Sequence, residues 1–395
     1  MSARSLLAIT LLALGCGTGT AMPDTPDASD AGVDEPLDVF VPKQLAVARV
    51  PGVSVAIIKG GKIVYAHAWG LMHESPDVPM TTDTIFLCAS VSKPFVGVSI
   101  LQLVEQGKLA LDDDINAYLP IALRNPRFPD VPIAVRMLLS HASSISEGYV
   151  QLFGEIKPGD SPESLESFLR RWMLPDGDHW ASGSNWSSSK PGSKTVYSQV
   201  GVVALALALE RITGQSYADY VKANVLAPLD MRDASLRLAD YSDKARLATP
   251  YVWASLSDNP LEHWGAPFYP AATLHATTRD LARFLLAMQG GGALDGKRVL
   301  RAESVTLMQQ ISYPALDANR GLLWLYRDVG GQRVGGHYGG APGVSTTMFY
   351  RPSDNVGVVT LTNADLHIRV ALGREEQLSA FRSIEERLFR EAAKY

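Results

Sequence analysis

From residue 52 onward, apolar positions recur with two different periods, and the changes of period mark the elements. Val53, Val55 and Ile57, then Ile63 and Tyr65, flank Lys59-Gly60-Gly61-Lys62, which predicts a β-hairpin around a Gly-Gly turn. After Ser90 the apolar residues Val91, Phe95, Val98, Leu101, Leu103 and Val104 fall at helical spacing until Gly107 supplies a stop, so Ser90 is expected to open a buried helix. Further helices are expected over 115–118, 133–143, 200–212, 217–226 and 278–289. Residues 160–194, rich in Ser and Gly with Trp180 and Trp186 among them, read as loops lining a surface cleft. The chain returns to strands over 344–350 and 356–362 around Pro352-Ser353-Asp354-Asn355, then closes with an amphipathic helix over 375–392. Strands at both ends with helices between predict an α/β chain of α+β type. One antiparallel sheet is flanked by terminal helices and interrupted by an inserted helical region, roughly 100–260.

The start of the chain has neither period. Residues 1–16 read as an export signal, with Arg4 giving a positive start and an apolar run over 6–14 too short for a permanent membrane span. The run ends at Leu12-Ala13-Leu14-Gly15-Cys16 and resembles a bacterial lipoprotein signal, although Ala13 and Leu14 stand where the usual order has Leu and then a small residue. That resemblance implies lipidation of Cys16 and an exported protein anchored to the membrane in the periplasm or at the cell surface. The alternative is a secretory signal cleaved near Ala21, giving a soluble product. Residues 17–42, rich in Gly, Thr, Pro, Asp and Ala with almost no aromatics, read as a disordered linker, which leaves 43–395 as the folded domain.

Composition narrows the classes. At 395 residues, with 46% hydrophobic and 19% charged, the chain can bury a large core. A formal net charge of -5 with no Lys/Arg cluster excludes a nucleic-acid surface. The two cysteines, Cys16 and Cys88, offer no disulfide staple, and Cys88 reads as packing. There is no His-Glu-x-x-His and no Cys-x-x-Cys, and Asp112-Asp113-Asp114 reads as a cap for the helix at 115, so no metal or cofactor is expected. Gly291-Gly292-Ala293-Leu294-Asp295-Gly296-Lys297-Arg298 nearly makes a phosphate loop. It fails because Arg298 replaces Ser or Thr and a helix precedes it, so it reads as a turn.

The candidate chemistry lies at Ser90-Val91-Ser92-Lys93. Three residues apart on one helix face, a hydroxyl and an amine can meet, giving a nucleophile beside a base. For Lys93 to serve as base its pKa must fall to near neutrality, a change worth roughly 4 kcal/mol that burial and a helix N-terminus both favour. A second copy, Ser187-Ser188-Ser189-Lys190, sits in a Ser/Gly-rich run ending at Pro191-Gly192, where no buried helix can start, and is discarded. His141 reads as structural, capping a helix with no acid near it in sequence.

Together with Tyr197-Ser198-Gln199 and His337-Tyr338-Gly339 in that order, the Ser90 motif resembles the serine beta-lactamase and penicillin-binding-protein superfamily, closest to its class C-like branch. Leu138-Leu139-Ser140-His141-Ala142-Ser143-Ser144, Pro228-Leu229-Asp230-Met231 and the Gly-rich run 335–343 extend the likeness over residues 45–390. The resemblance implies that Ser90 is acylated, that Lys93 activates it, that Tyr197 shuttles the proton to the leaving group, and that the backbone N–H groups of Ser90 and Gly340 form an oxyanion hole. It makes His337 a partner of Tyr197 or of a substrate carboxylate, and it places Gln199, Tyr338, Gly339 and Gly340 along the substrate. Gln199 stands where the family most often has Asn, and His337 where true beta-lactamases have Lys. The implied function is a secreted serine hydrolase acting through an acyl-enzyme on small esters or amides, as an esterase, D-amino peptidase or carboxypeptidase. A class C-like beta-lactamase and a catalytically impaired binding or sensor module are the alternatives. The implied partners are a small ester or peptide and, through Cys16, a membrane.

Overall fold

The computed structural model describes residues 35–180, 185–254 and 257–395, so the signal segment with Cys16 and most of the expected linker lie outside the described residues. The named elements are α1 (Leu37–Ala48), β1 (Gly52–Lys59), β2 (Lys62–Glu74), β3 (Asp77–Pro79), α2 (Lys93–Glu105), α3 (Leu165–Met173), α4 (Gln199–Thr213), α5 (Thr278–Gln289), β4 (Leu325–Val329), β5 (Gln332–Ala341), β6 (Val344–Arg351), β7 (Val356–Thr362) and α6 (Glu375–Glu391). The seven strands form one antiparallel sheet in the order β4-β5-β6-β7-β1-β2-β3, so the first and last strands of the chain interleave at β7 and β1.

The sheet is covered on both faces, and β1 shows how. Val53, Val55 and Ile57 pack with Phe40, Val41 and Leu45 of α1 and Phe381, Ile384 and Leu388 of α6. Ala56 and Ile58 belong to the larger core of the helical region. A strand buried on both faces reads as a continuous apolar run, as 53–58 does. On the helical side, α2 and α4 are buried along nearly their whole length, the pattern of helices that are apolar all round. The capping box of α5, in which Thr277 and Asp280 exchange hydrogen bonds, fixes its start at the expected residue.

Several boundaries differ from expectation. The linker does not reach residue 42, because α1 begins at Leu37; its Leu37, Phe40, Val41, Leu45 and Ala48 follow helical spacing and are buried, so the folded domain starts before residue 43. The helical region extends from Lys93 to the helix Ala302–Gln309 rather than over 100–260. Residues 160–194 are not all loop. Ser164 caps α3, and Leu165, Phe168, Leu169 and Trp172 bury one face of it. The helix expected over 133–143 is cut to Val135–Leu139, since His141 and Ser144 adopt φ of 57° and 64°. The hairpin β4–β5 escapes the alternation pattern because glycines occupy 330, 331, 335 and 336. The acid cluster is consumed locally: Asp112 pairs with Arg136, Asp113 accepts from Ala110 N and Tyr118, and Asp114 caps Asn116 N and pairs with Arg124. Residues 293–298 make a tight two-stranded turn.

Candidate active site

Ser90 lies in a 3-10 turn, Ala89–Ser92, that runs directly into α2, so the helix proper begins at Lys93 rather than at Ser90. Ala89 has φ 46°, a left-handed conformation that costs a non-glycine residue about 1–2 kcal/mol. Its neighbours hold it there. Cys88 N donates to Leu274 O at 2.7 Å, Thr346 Oγ1 donates to Cys88 O at 2.9 Å, and Ser92 Oγ donates to Ala89 O at 2.6 Å while accepting from Leu274 N at 3.0 Å. Strand β5 closes the other side. A Cβ at Gly339 would lie 2.4 Å from Cys88 O and 3.0 Å from Ser90 N, so the strand comes this near only with glycine at 339. Cys88 itself is buried, as expected of a packing residue, and burial pushes its thiol up.

Lys93 is 0% exposed, and its Nζ donates to Ser90 Oγ at 3.0 Å, to Ala271 O at 2.9 Å and to Gln199 Oε1. Burial drives the amine well below the usual lysine range, Glu147 opposes that shift, and Arg320 adds to it. Lys93 opens α2 and Gln199 opens α4, so the positive ends of two buried helices converge where the two side chains meet. Such a place disfavours an ammonium and favours a developing oxyanion. Once the amine is neutral, the contact at 3.0 Å becomes the route by which the Ser90 proton reaches Nζ.

Tyr197 stands just ahead of α4. Lys93 Nζ sits 4.8 Å and Arg320 Cζ 5.5 Å from its ring centre, and the His141 ring lies tilted against it at 4.4 Å. His337 is buried and donates from Nδ1 to Tyr338 O at 2.6 Å, which leaves Nε2 as the acceptor of a neutral ring. Burial, then the charge of Lys93, lowers its pKa to about 3. Ser90, Lys93, Tyr197, Gln199, His337 and Gly339 are thus brought together as the sequence implied.

Tyr338 is not. Strand alternation puts His337 and Gly339 on the Ser90 face of β5 and Tyr338 and Gly340 on the opposite one. The Tyr338 ring packs into the core of the terminal helices and stacks on His367 at 5.3 Å, and a Cβ at Gly340 would meet His367 at 2.9 Å. The Tyr338 side chain is therefore a core group and not a substrate contact.

Sequence reasoning missed four residues here. Ala271 O, Arg320 and Glu147 carry no motif and come from distant segments. His141 does lie in a noted run, yet it accepts a hydrogen bond at Nδ1 from Ser198 N at 3.2 Å besides packing its ring against Tyr197, so it belongs to the site rather than only to a helix end. Among the described residues no group of three or more His, Cys, Asp or Glu is placed to hold a metal ion, and no helix is long and apolar enough to cross a membrane.

The chain is similar to several known proteins. Protein flp of Staphylococcus aureus is 26% identical over 336 residues, which is 83% of this chain and 62% of that protein, so the chain spans about three fifths of that relative's length. Among solved structures, an octameric penicillin-binding protein homologue from Pyrococcus abyssi is 26% identical with a TM-score of 0.66, covering 84% of this chain and 73% of the other. D-amino acid amidase from Ochrobactrum anthropi SV3 shares the fold at 23% identity and a TM-score of 0.66, covering 88% and 99%. The sequence pattern of the beta-lactamase family matches residues 37–379, and the chain belongs to that family.

Proposed function

We propose that the protein is a serine hydrolase that cleaves small esters or amides through an acyl-enzyme on Ser90. The observation that carries this reading is the fully buried Lys93 amine 3.0 Å from Ser90 Oγ. Neutral Lys93 takes the Ser90 proton as Oγ attacks the substrate carbonyl carbon, and the displaced π electrons settle on the carbonyl oxygen. The backbone N–H groups of Ser90 and Gly340 receive that oxyanion, each worth about 3 to 4 kcal/mol. Collapse of the intermediate expels the alcohol or amine, which takes its proton through Tyr197, and water then releases the acid by the same path reversed. His337, neutral and accepting at Nε2, orients the Tyr197 hydroxyl or a substrate N–H.

Likeness of fold to a D-amino acid amidase makes D-amino-acid amides and esters the first substrates to try. In this reading the protein is exported through residues 1–16 and tethered by a lipid on Cys16, which radiolabelled palmitate incorporation, lost in Cys16→Ala, would report. The test of the chemistry is intact mass after exposure to a fluorophosphonate, in wild type and Ser90→Ala, followed by nitrophenyl esters, D-alanyl anilides and a chromogenic cephalosporin. Labelling confined to wild type with turnover of esters or anilides is the expected result. Turnover of the cephalosporin alone would make it a beta-lactamase, and labelling without any turnover would make it a binding module.

A further inference from the structure

Glu147 belongs to no motif, yet it is the carboxylate built into this site. It is buried, and its two oxygens accept from three donors at the start of α4: Ser198 Oγ at 2.6 Å, Gln199 N, and Val200 N at 3.2 Å. Ser198 Oγ accepts from Gly201 N at 2.9 Å, so its own hydrogen is free to go to Glu147, and three donors meeting one carboxyl favour its ionised form. The six residues before it complete the grip. His141 accepts at Nδ1 from Ser198 N and at its backbone carbonyl from Val196 N at 2.7 Å, while Ala142 O accepts from Gly192 N at 2.8 Å. One loop therefore holds both sides of Tyr197.

We propose that Glu147 is a positioning residue of the reaction: a buried carboxylate that clamps the Tyr197–Gln199 segment against Lys93 and supplies the negative charge that Lys93 faces. The link runs through one residue. Gln199 gives its backbone N–H to Glu147 and presents its side-chain oxygen to the Lys93 amine. The other groups facing Lys93 are the cation Arg320, the neutral imidazoles His141 and His337, the Tyr197 ring, and the N-termini of α2 and α4. None of them is an anion, so among the described residues Glu147 is the one carboxylate that, beside the acceptors Ser90 Oγ, Ala271 O and Gln199 Oε1, favours the proton on Lys93. A base with too little proton affinity is a poor one, since general-base catalysis works best with a pKa near the working pH. Burial holds the Glu147 carboxyl above the usual glutamate range, and its three donors and Lys93 oppose that rise.

This inference rests on the acyl-enzyme reading, and its test is chosen to be separable from it. The rate of Ser90 labelling by a fluorophosphonate is followed against pH, which reports Lys93 whatever the natural substrate. In Glu147→Gln the labelling rate at its optimum falls about 10- to 100-fold, and the acid limb moves to lower pH because Lys93 loses its counter-charge. In Glu147→Asp, which keeps the charge and shortens the reach, the limb stays in place while the rate drops several-fold. A limb that does not move in Glu147→Gln makes the residue merely structural and overturns the proposal. Should that variant not fold, an unchanged labelling rate in Glu147→Asp overturns it as well. Absence of labelling in wild type would instead sink the acyl-enzyme reading.

Discussion

The chain spells Ser-x-x-Lys twice, and the two copies have opposite fates. At Ser90–Lys93 the hydroxyl and amine are buried, 3.0 Å apart, at the head of a buried helix. At Ser187–Lys190 the lysine is exposed, Ser187 Oγ accepts from Ser189 N at 3.1 Å, and Lys190 O accepts from Ser193 N at 3.0 Å in an ordinary polar turn. The same letters bury an amine in one place and leave it exposed in the other. What differs is desolvation, two converging helix ends, and a glycine strand laid against the nucleophile.

The strongest way to break the contrast is to remove the hydroxyls one at a time. Ser90→Ala abolishes fluorophosphonate labelling and lowers hydrolysis by about 10³-fold or more, whereas Ser187→Ala leaves both unchanged, read by intact mass and initial rates. Next comes the strand. Gly339→Ala places a methyl 2.4 Å from Cys88 O, so the turn carrying Ser90 must shift. A displacement of that order costs about 10²-fold in kcat. The overpacking also lowers stability by about 1–3 kcal/mol, read from urea unfolding.

A third test separates buried from exposed titrating groups through pH. His337 and His275 are buried, with pKa values lowered to about 3 and about 4 from 6.5. Between those values and 6.5 the unfolded chain binds more protons, so stability is lost as pH falls through that window, by about 1.4 kcal/mol per pH unit for each histidine. Melting temperature should therefore drop steadily from pH 6.5 to 4. For Lys93 the same logic puts the window between its lowered value and 10.5, where stability rises with pH. The smallest effect belongs to the discarded copy: Lys190→Ala changes stability by no more than about 0.5 kcal/mol and leaves the rate untouched.

How much of this was legible depended on whether a residue's role is local. The hairpin β1–β2 and the span of α5 follow from periodicity and caps, which act within a few residues. Ser90, Lys93, Tyr197 and His337 were legible because each sits in a run of fixed spacing. Ala271 O and Glu147 were not, since a backbone carbonyl has no signature in sequence, and an isolated acid gains its meaning only when α4 starts above it. Tyr338 was misread for a strand-level reason: without the strand assigned, nothing in His-Tyr-Gly tells which face the middle residue takes. The start of α1 is masked in sequence because its first apolar residues, Leu37, Phe40 and Val41, directly follow a polar segment.

The pairing of β1 with β7 has a consequence for how the molecule comes to be. Val53 faces Thr362 across roughly 300 residues of chain, one of the costliest kinds of closure for a nascent polypeptide. During synthesis β1 and β2 emerge well before β7, and β1 must wait with one bare edge, open to wrong pairing, until β7 has been made. Helices α1 and α6 then lock together over the completed seam. Shortening the protein from its end would thus leave the sheet unclosed and the clamped nucleophile turn, which leans on β5 and β6, without its wall.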